Sequence, residues 1–267
     1  MKDGEPLPAV SHIYRKHDLA PGPADLVRLL VKYGFNIDAQ LKSSHTVLNK
    51  LVDKLMKHTS TKDKDADAAM VTLLLELGAD PDGGAGNRHE TALMNGAANC
   101  GGKARCVQVM RSLIAAGAHV NARAHDGWTA LMMACQAGSL PEVELLLANG
   151  ADVRARPYRI ENNPQGEQNS PVIAWAILGG NLAVVKAIVD IGGQKLIHTN
   201  IQGSDEFCLH LAVLQGNADI VAWLLENGAV WNPDILETAR DQREKFPEVS
   251  KIILERVGSD TPSHDDL

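Results

Sequence analysis

Long apolar segments are missing from this chain of 267 residues. No run of eighteen uninterrupted apolar residues occurs, which predicts that no segment crosses a membrane. Residues 1–6 carry no apolar core of a secretory signal. Cysteine is scarce too, because four cysteines in a chain of this length do not form a disulfide framework. We therefore expect reduced thiols and a cytoplasmic or nuclear location.

The motifs of catalytic and metal sites are also missing. The chain has no Gly-rich phosphate loop, no His-Glu-x-x-His and no nucleophile elbow. Cys100 and Cys106 lie closest together among the cysteines, but they are spaced more widely than the pairs of usual zinc sites. We expect no catalytic residue, no metal, no cofactor and no enzymatic activity.

Charge is not strongly one-sided. The formal net charge is −7 and 45% of the residues are apolar, which favours a folded protein over a disordered one. The mildly acidic balance argues against nucleic acid as the main partner.

One stretch, residues 126–155, reads as a complete structural unit. Thr129 can cap a short helix over 130–137, which Gly138 ends. A second apolar helix follows over 141–148 and again ends at a glycine. Helices this short cannot bury their apolar faces alone, so neighbours of the same shape must cover them.

Both parts of this unit recur along the chain. Helix-ending glycines stand 44, 39, 33, 42 and 36 residues apart, and we expect the residues in excess of the shortest interval to form surface loops. These glycines are Gly34, Gly78, Gly117, Gly150, Gly192 and Gly228. A first-helix signature recurs in register with them. Its copies begin at Thr46, Thr91, Thr129, Ser170 and Phe207.

This pattern resembles the ankyrin repeat family, whose signature is Thr-Pro-Leu-His-x-Ala followed by a leucine-rich helix and Gly-Ala-Asp. The resemblance implies an all-α solenoid of stacked helix–turn–helix units with long finger and loop insertions, and a monomer. One domain is expected over 1–257, followed by a disordered tail at 258–267. Its repeats and final capping helices are 6–39, 43–82, 87–122, 125–156, 166–195, 203–232 and 233–257.

Three features depart from the regular repeat. The insertion around 57–65 is either a solvated loop after a longer helix or a docking loop, and the connection 157–169 replaces a tight finger. Trp175 falls where the family keeps a small alanine, so it either fills space beside the long loop or forms one wall of a groove with Trp128. At the family's His position, we expect His210 to form a hydrogen bond with the backbone of the finger, the turn that joins consecutive repeats. The other repeats have no histidine there and are expected to lack this hydrogen bond; their residues are Asn49, Met94, Met132 and Ile173.

The resemblance also places candidate partner-binding residues at finger tips and exposed first-helix positions. We expect the partner, a protein or peptide segment, to cross the concave side of repeats three to five, with Trp128 exposed outside the stacked core. The candidates are Arg88, Glu90, His125, Asp126, Trp128, Met133, Gln136, Tyr158, Arg159, Trp175, Ile177, Leu178 and Leu214. Asn121 occupies the position that asparaginyl hydroxylases modify in the family, although His119 replaces the usual acidic neighbour.

Two functions follow from the resemblance. The first is a non-catalytic protein–protein interaction module that acts as a scaffold, an adaptor or a subunit of a larger complex, without binding nucleic acid or membranes. The alternative is a chromatin-type reader of methylated lysine, whose aromatic cage would use Trp128, Trp175, Tyr158 and Glu167.

Overall fold

The computed structural model describes residues 23–41, 45–57, 64–83, 89–157, 170–198, 208–231 and 233–256. Within these ranges the chain forms thirteen α-helices, one 3-10 helix at Gln194–His198 and no β-strand. The α-helices are α1 Pro23–Lys32, α2 Val47–Lys57, α3 Lys64–Glu76, α4 Ala92–Asn99, α5 Ala104–Ala115, α6 Ala130–Gln136, α7 Leu140–Ala148, α8 Val172–Leu178, α9 Leu182–Gly192, α10 Cys208–Gln215, α11 Ala218–Glu226, α12 Pro233–Asp241 and α13 Pro247–Arg256.

The chain divides into two compact units, residues 1–125 and 126–267. In the first unit α2 pairs with α3 and α4 with α5, and the two first helices pack together, as do the two second helices. In the second unit the same arrangement repeats through the pairs α6–α7, α8–α9, α10–α11 and α12–α13. The all-α prediction of stacked helix–turn–helix units is confirmed within each unit, whereas a single domain over 1–257 stays a prediction.

The capping chemistry explains where the first helices begin. Thr91 and Thr129 adopt an extended backbone, and each hydroxyl accepts a hydrogen bond from a backbone N–H in the first helical turn. The N–H···O distances are 3.3 Å from Met94 and 3.4 Å from Met132. The predicted capping role of Thr129 is confirmed, and the predicted helix bounds in this repeat differ from α6 and α7 by one residue.

Asparagines join consecutive repeats in the second unit. Gly138, Gly180 and Gly216 end α6, α8 and α10 with positive φ angles of 67°, 70° and 74°. The side-chain amide of Asn181 donates to the Gly138 carbonyl, and that of Asn217 to the Gly180 carbonyl, each at 2.8 Å. These identical joints define which positions of the three repeats are equivalent.

The register of the fifth repeat differs by one residue from the predicted one. Pro171 stands at the N-cap of α8, as Thr129 does at the N-cap of α6, whereas the signature match had placed Ser170 there. Consequently Ala176 is the small residue between the helices. Trp175 lies one position earlier, and the prediction that it replaces the family's alanine is wrong.

The end of the fifth repeat also departs from expectation. The helix α9 runs through Gly192 and ends at Gly193, whose φ is 85°. The 3-10 helix follows directly and buries Leu196 and Ile197. A Cβ on Gly192 would overlap the Leu196 side chain, which is why a residue without a side chain stands there. The prediction that every added segment is a surface loop is therefore wrong for this one.

The other predicted insertions are only partly described. The helix α2 has 11 residues against 8 in α4 and 7 in α6, which confirms the longer first helix of the second repeat. The segments 58–63 and 158–169, the N-terminal cap up to residue 22 and the tail at 258–267 lie outside the described residues. Among the helices that are described, none is long and apolar enough to cross a bilayer.

Candidate protein-interaction surface

Three successive first helices of the second unit contain no Asp, Glu, Lys or Arg. Their sequences are ALMMACQ in α6, VIAWAIL in α8 and CLHLAVLQ in α10. The helices that pair with them each carry charged residues, as in LPEVELLLA of α7 and ADIVAWLLE of α11. Most side chains of these helices are buried against their neighbours, and only a few of them reach the surface.

Two columns of equivalent residues run across these three helices, because α8 packs against both α6 and α10. The hydrogen bonds to Gly138 and Gly180, together with the positive φ that Gly216 shares with them, define the columns. The inner column is Met133, Trp175 and Leu211, and the outer column is Gln136, Leu178 and Leu214.

The exposed side chains in these columns are mostly apolar. Met133, Leu178 and Leu211 are half-exposed, and Leu214 is 37% exposed. We call these four residues the apolar strip. Gln136, which is exposed, adds a neutral amide at the α6 end of the outer column. Such a row can cover the apolar side chains of a polypeptide without desolvating a charge.

Trp128 forms an aromatic pair with Trp175, the middle residue of the inner column. Their ring centroids are 4.3 Å apart and the ring planes are inclined by 48°. Trp175 is only 3% exposed, and its indole N–H donates to the Ser170 carbonyl at 3.2 Å. Trp128 is half-exposed, but its ring packs against the buried Trp175 ring, so the prediction that its side chain lies outside the stacked core is wrong. Trp175 is a core residue and has no accessible face for a partner.

Other predicted contact residues of the second unit have mixed outcomes. Ile177 is fully buried, because the one-residue shift of α8 puts it at the position of Cys135, which is buried as well. Its predicted exposure is wrong. Asp126 is half-exposed, and its carboxylate accepts a hydrogen bond from the Trp128 backbone N–H at 3.3 Å. Tyr158 and Arg159 lie outside the described residues.

In the first unit, fewer of the predicted contact residues can be placed. Glu90 is half-exposed and His125 is exposed, with the His125 ring stacked over His89 at a centroid distance of 6.4 Å. Arg88 lies outside the described residues. Asn121 is exposed, and its hydroxylation stays a prediction.

The family's His position behaves differently from the prediction. His210 lies with its Nε2 3.1 Å from the Thr238 hydroxyl, and that hydroxyl itself donates to the Asp234 carbonyl at 2.8 Å. The histidine therefore donates into α12 rather than to finger backbone. Conversely, Asn49 was expected to lose the finger bond, but its amide donates to the backbone carbonyl of Gly83. Both expectations are wrong, because the hydrogen bond of each side chain depends on which polar group of a neighbouring segment lies within reach.

Two aspartates link neighbouring fingers in the first unit, and sequence reasoning missed them. The Asp38 carboxylate accepts from the Asp80 backbone N–H at 2.9 Å. The Asp82 carboxylate accepts from the His119 backbone N–H at 2.8 Å and also contacts the His119 ring. Both aspartates stand four residues after a helix-ending glycine, so their equivalent positions in the repeats could have been recognised from the sequence.

The four cysteines are buried, and none of them is in a disulfide: Cys100, Cys106, Cys135 and Cys208. Desolvation raises the pKa of the Cys135 thiol far above its ordinary value and that of Cys208 to about 12. In the described segments no group of three His, Cys, Asp or Glu side chains could hold a metal ion.

Thiol labelling tests this arrangement. The thiolate is the reactive form, so buried thiols with a raised pKa should react slowly. We expect a disulfide-exchange reagent to label few cysteines in the native protein at mildly alkaline pH and all four after denaturation. Rapid native labelling, or a mass lowered by two hydrogens without reductant, would contradict the expectation.

Comparison with known proteins agrees with this geometry. Ankyrin repeat models match residues 58–157, as three copies, and residues 205–237, as one repeat. The crystal structure of the ankyrin repeat domain of Bcl-3, "a unique member of the IkappaB protein family", is similar to this chain, with a TM-score of 0.61. The identity is 22%, over 86% of this chain and 89% of that one, and such a likeness concerns the fold alone.

No curated protein sequence matches the chain significantly. Ankyrin repeats are generally protein–protein interaction modules and typically non-catalytic. From the matched repeat models together with the shared fold, the chain belongs to the ankyrin repeat family.

Proposed function

We propose that the protein is a non-catalytic interaction module whose second unit binds a polypeptide segment across α6, α8 and α10. The observation that supports this is the apolar strip on three uncharged helices. In this role the chain acts as a monomeric scaffold, adaptor or complex subunit in the cytoplasm or nucleus.

The apolar strip exposes surface that a bound segment can remove from water. Removing apolar surface from water contributes about 25 cal/mol for each Å², from which the cost of association is subtracted. Leu178 and Leu214 have half-exposed or exposed side chains, so a partner could still cover apolar surface there. Their helices offer no charge that would have to be desolvated, which makes this face favourable for an apolar segment.

Affinity capture with matched variants tests the proposal. The variant Leu214→Glu places a charge in the strip, and Leu225→Glu places the same charge at a half-exposed position of α11 in the same repeat. We expect captured proteins, identified by mass spectrometry, to be retained by the wild type and Leu225→Glu but lost from Leu214→Glu. Circular dichroism confirms that each variant is folded.

The opposite outcomes are equally informative. Equal capture by both variants would rule out the strip as the binding surface. If only the Lys62→Glu variant lost the captured proteins, the binding site would lie in the first unit. The insertion around 57–65 would then be the docking loop.

The methyl-lysine reader has less support. A cage surrounds a cation with open aromatic faces. Here the Trp128 and Trp175 rings lie against each other, and Trp175 is buried. The other two candidate cage residues, Tyr158 and Glu167, lie outside the described residues. A peptide bound more tightly in its trimethyllysine form than in its unmodified form would favour this alternative.

A further inference from the structure

The outer column continues from α10 into α12. The buried residues of α12, Ile235, Leu236 and Ala239, have the same spacing as Cys208, Leu209 and Ala212 of α10. The two helices pack against each other and are joined by the contact between His210 and Thr238. In this register Asp241 is the equivalent of Leu214, and it is exposed.

The outer column therefore changes chemistry along its length. It begins with the neutral amide of Gln136, continues through two leucines and ends with the Asp241 carboxylate. Three helices without a charged residue are thus followed by one, PDILETARD, that has four. Among these four first helices, which the structure describes, α12 alone presents Asp, Glu, Lys or Arg.

We infer that the segment bound by the second unit carries a short row of aliphatic side chains with a lysine or arginine at one end. The aliphatic side chains cover Leu178 and Leu214, and the cation lies beside Asp241. This inference rests on the proposed function and adds the chemistry of the partner. An acidic residue at the same place would face the carboxylate and be disfavoured.

Neighbouring charges leave this assignment in place. Glu237 is the α12 equivalent of His210 and adds a second exposed carboxylate on this helix. Arg240 is exposed, but in the same register it matches the buried Val213 rather than Leu214, so it belongs to another face of the helix. Lys245 lies in the following turn with its ammonium 4.8 Å from the centre of the Phe246 ring.

Selection from a phage-displayed library of random peptides tests the inference without knowledge of the natural partner. The full chain is used as wild type, Asp241→Lys and Leu214→Glu, with Glu248→Lys as a charge-matched control on the exposed surface of α13. We expect wild-type and control selections to enrich peptides that combine aliphatic residues with Lys or Arg. The Asp241→Lys selection should keep the aliphatic residues and replace the cation by Asp or Glu.

Titration of one enriched synthetic peptide gives the magnitude. Exposed ion pairs contribute modestly, so Asp241→Lys should weaken binding by about fivefold, and salt should reduce the difference. Aliphatic enrichment that depends on Leu214 but shows no charge preference would overturn the inference and leave the proposed function standing. Failure to enrich any peptide that depends on Leu214 would overturn the proposed function itself.

Discussion

Gly179→Ala is expected to lower the free energy of unfolding of the second unit by about 3 kcal/mol or more. Gly179 follows α8 and approaches the end of α6. A Cβ at this position would overlap the carbonyl oxygen of Cys135 and lie 3.0 Å from the backbone nitrogen of Gly138. These atoms belong to backbone, which cannot turn aside as a flexible side chain can. The added methyl group must therefore push the two helices apart.

A second glycine separates this steric effect from backbone strain. Gly179 has a right-handed helical backbone with φ −67°, so alanine brings no conformational penalty there. Gly228 has φ +74° and nothing within 4 Å of its added Cβ, so Gly228→Ala brings strain without overlap. We expect a cost of about 1–2 kcal/mol for that variant. Denaturant unfolding followed by circular dichroism compares the two, and a Gly179→Ala cost no greater than that of Gly228→Ala would contradict the close approach.

From sequence, Ser170-Pro171 resembles the Thr-Pro of the family signature and places the N-cap one residue too early, and the glycine pair at 179–180 does not correct the match. Either glycine could end α8 in the left-handed conformation, and the sequence does not say which one does. The structure gives that conformation to Gly180, so the helix and its N-cap shift by one residue. This shift buries Ile177 and moves Trp175 out of the alanine position. A local ambiguity in a single turn thus changed the predicted exposure of a whole helix.

Where the repeat kept its usual length, sequence reasoning located the elements well. The helices α6 and α7 were placed to within one residue, because threonine capping and glycine termination act locally. The partners of His210 and Asn49 could not be found in the same way, since they depend on which neighbouring repeat supplies a hydrogen-bonding group. The uncharged first helices, in contrast, were visible in the sequence. Only the structure shows that Leu178 and Leu214 share one column and keep part of their surface exposed.

Trp175→Ala is expected to destabilise the second unit by about 3–5 kcal/mol. The substitution leaves a cavity at a position that is 3% exposed, and it removes the hydrogen bond from the indole to the Ser170 carbonyl. Trp175→Phe separates these effects, since it keeps most of the apolar contact and loses the N–H donor. Its cost should be about 1–3 kcal/mol, the penalty of a buried carbonyl left without its donor.

The partner ring supplies the control for this pair. Trp128→Ala should cost less than Trp175→Ala, because the Trp128 side chain is only half-buried. If the two rings stabilise each other, the double variant should cost less than the sum of the single variants by about 0.5–1.5 kcal/mol. Urea unfolding of the four proteins measures this coupling. A Trp128→Ala variant with unchanged stability and no coupling to Trp175 would mean that the Trp128 ring lies in water, as the sequence alone had predicted, and would return Trp128 to the candidate binding surface.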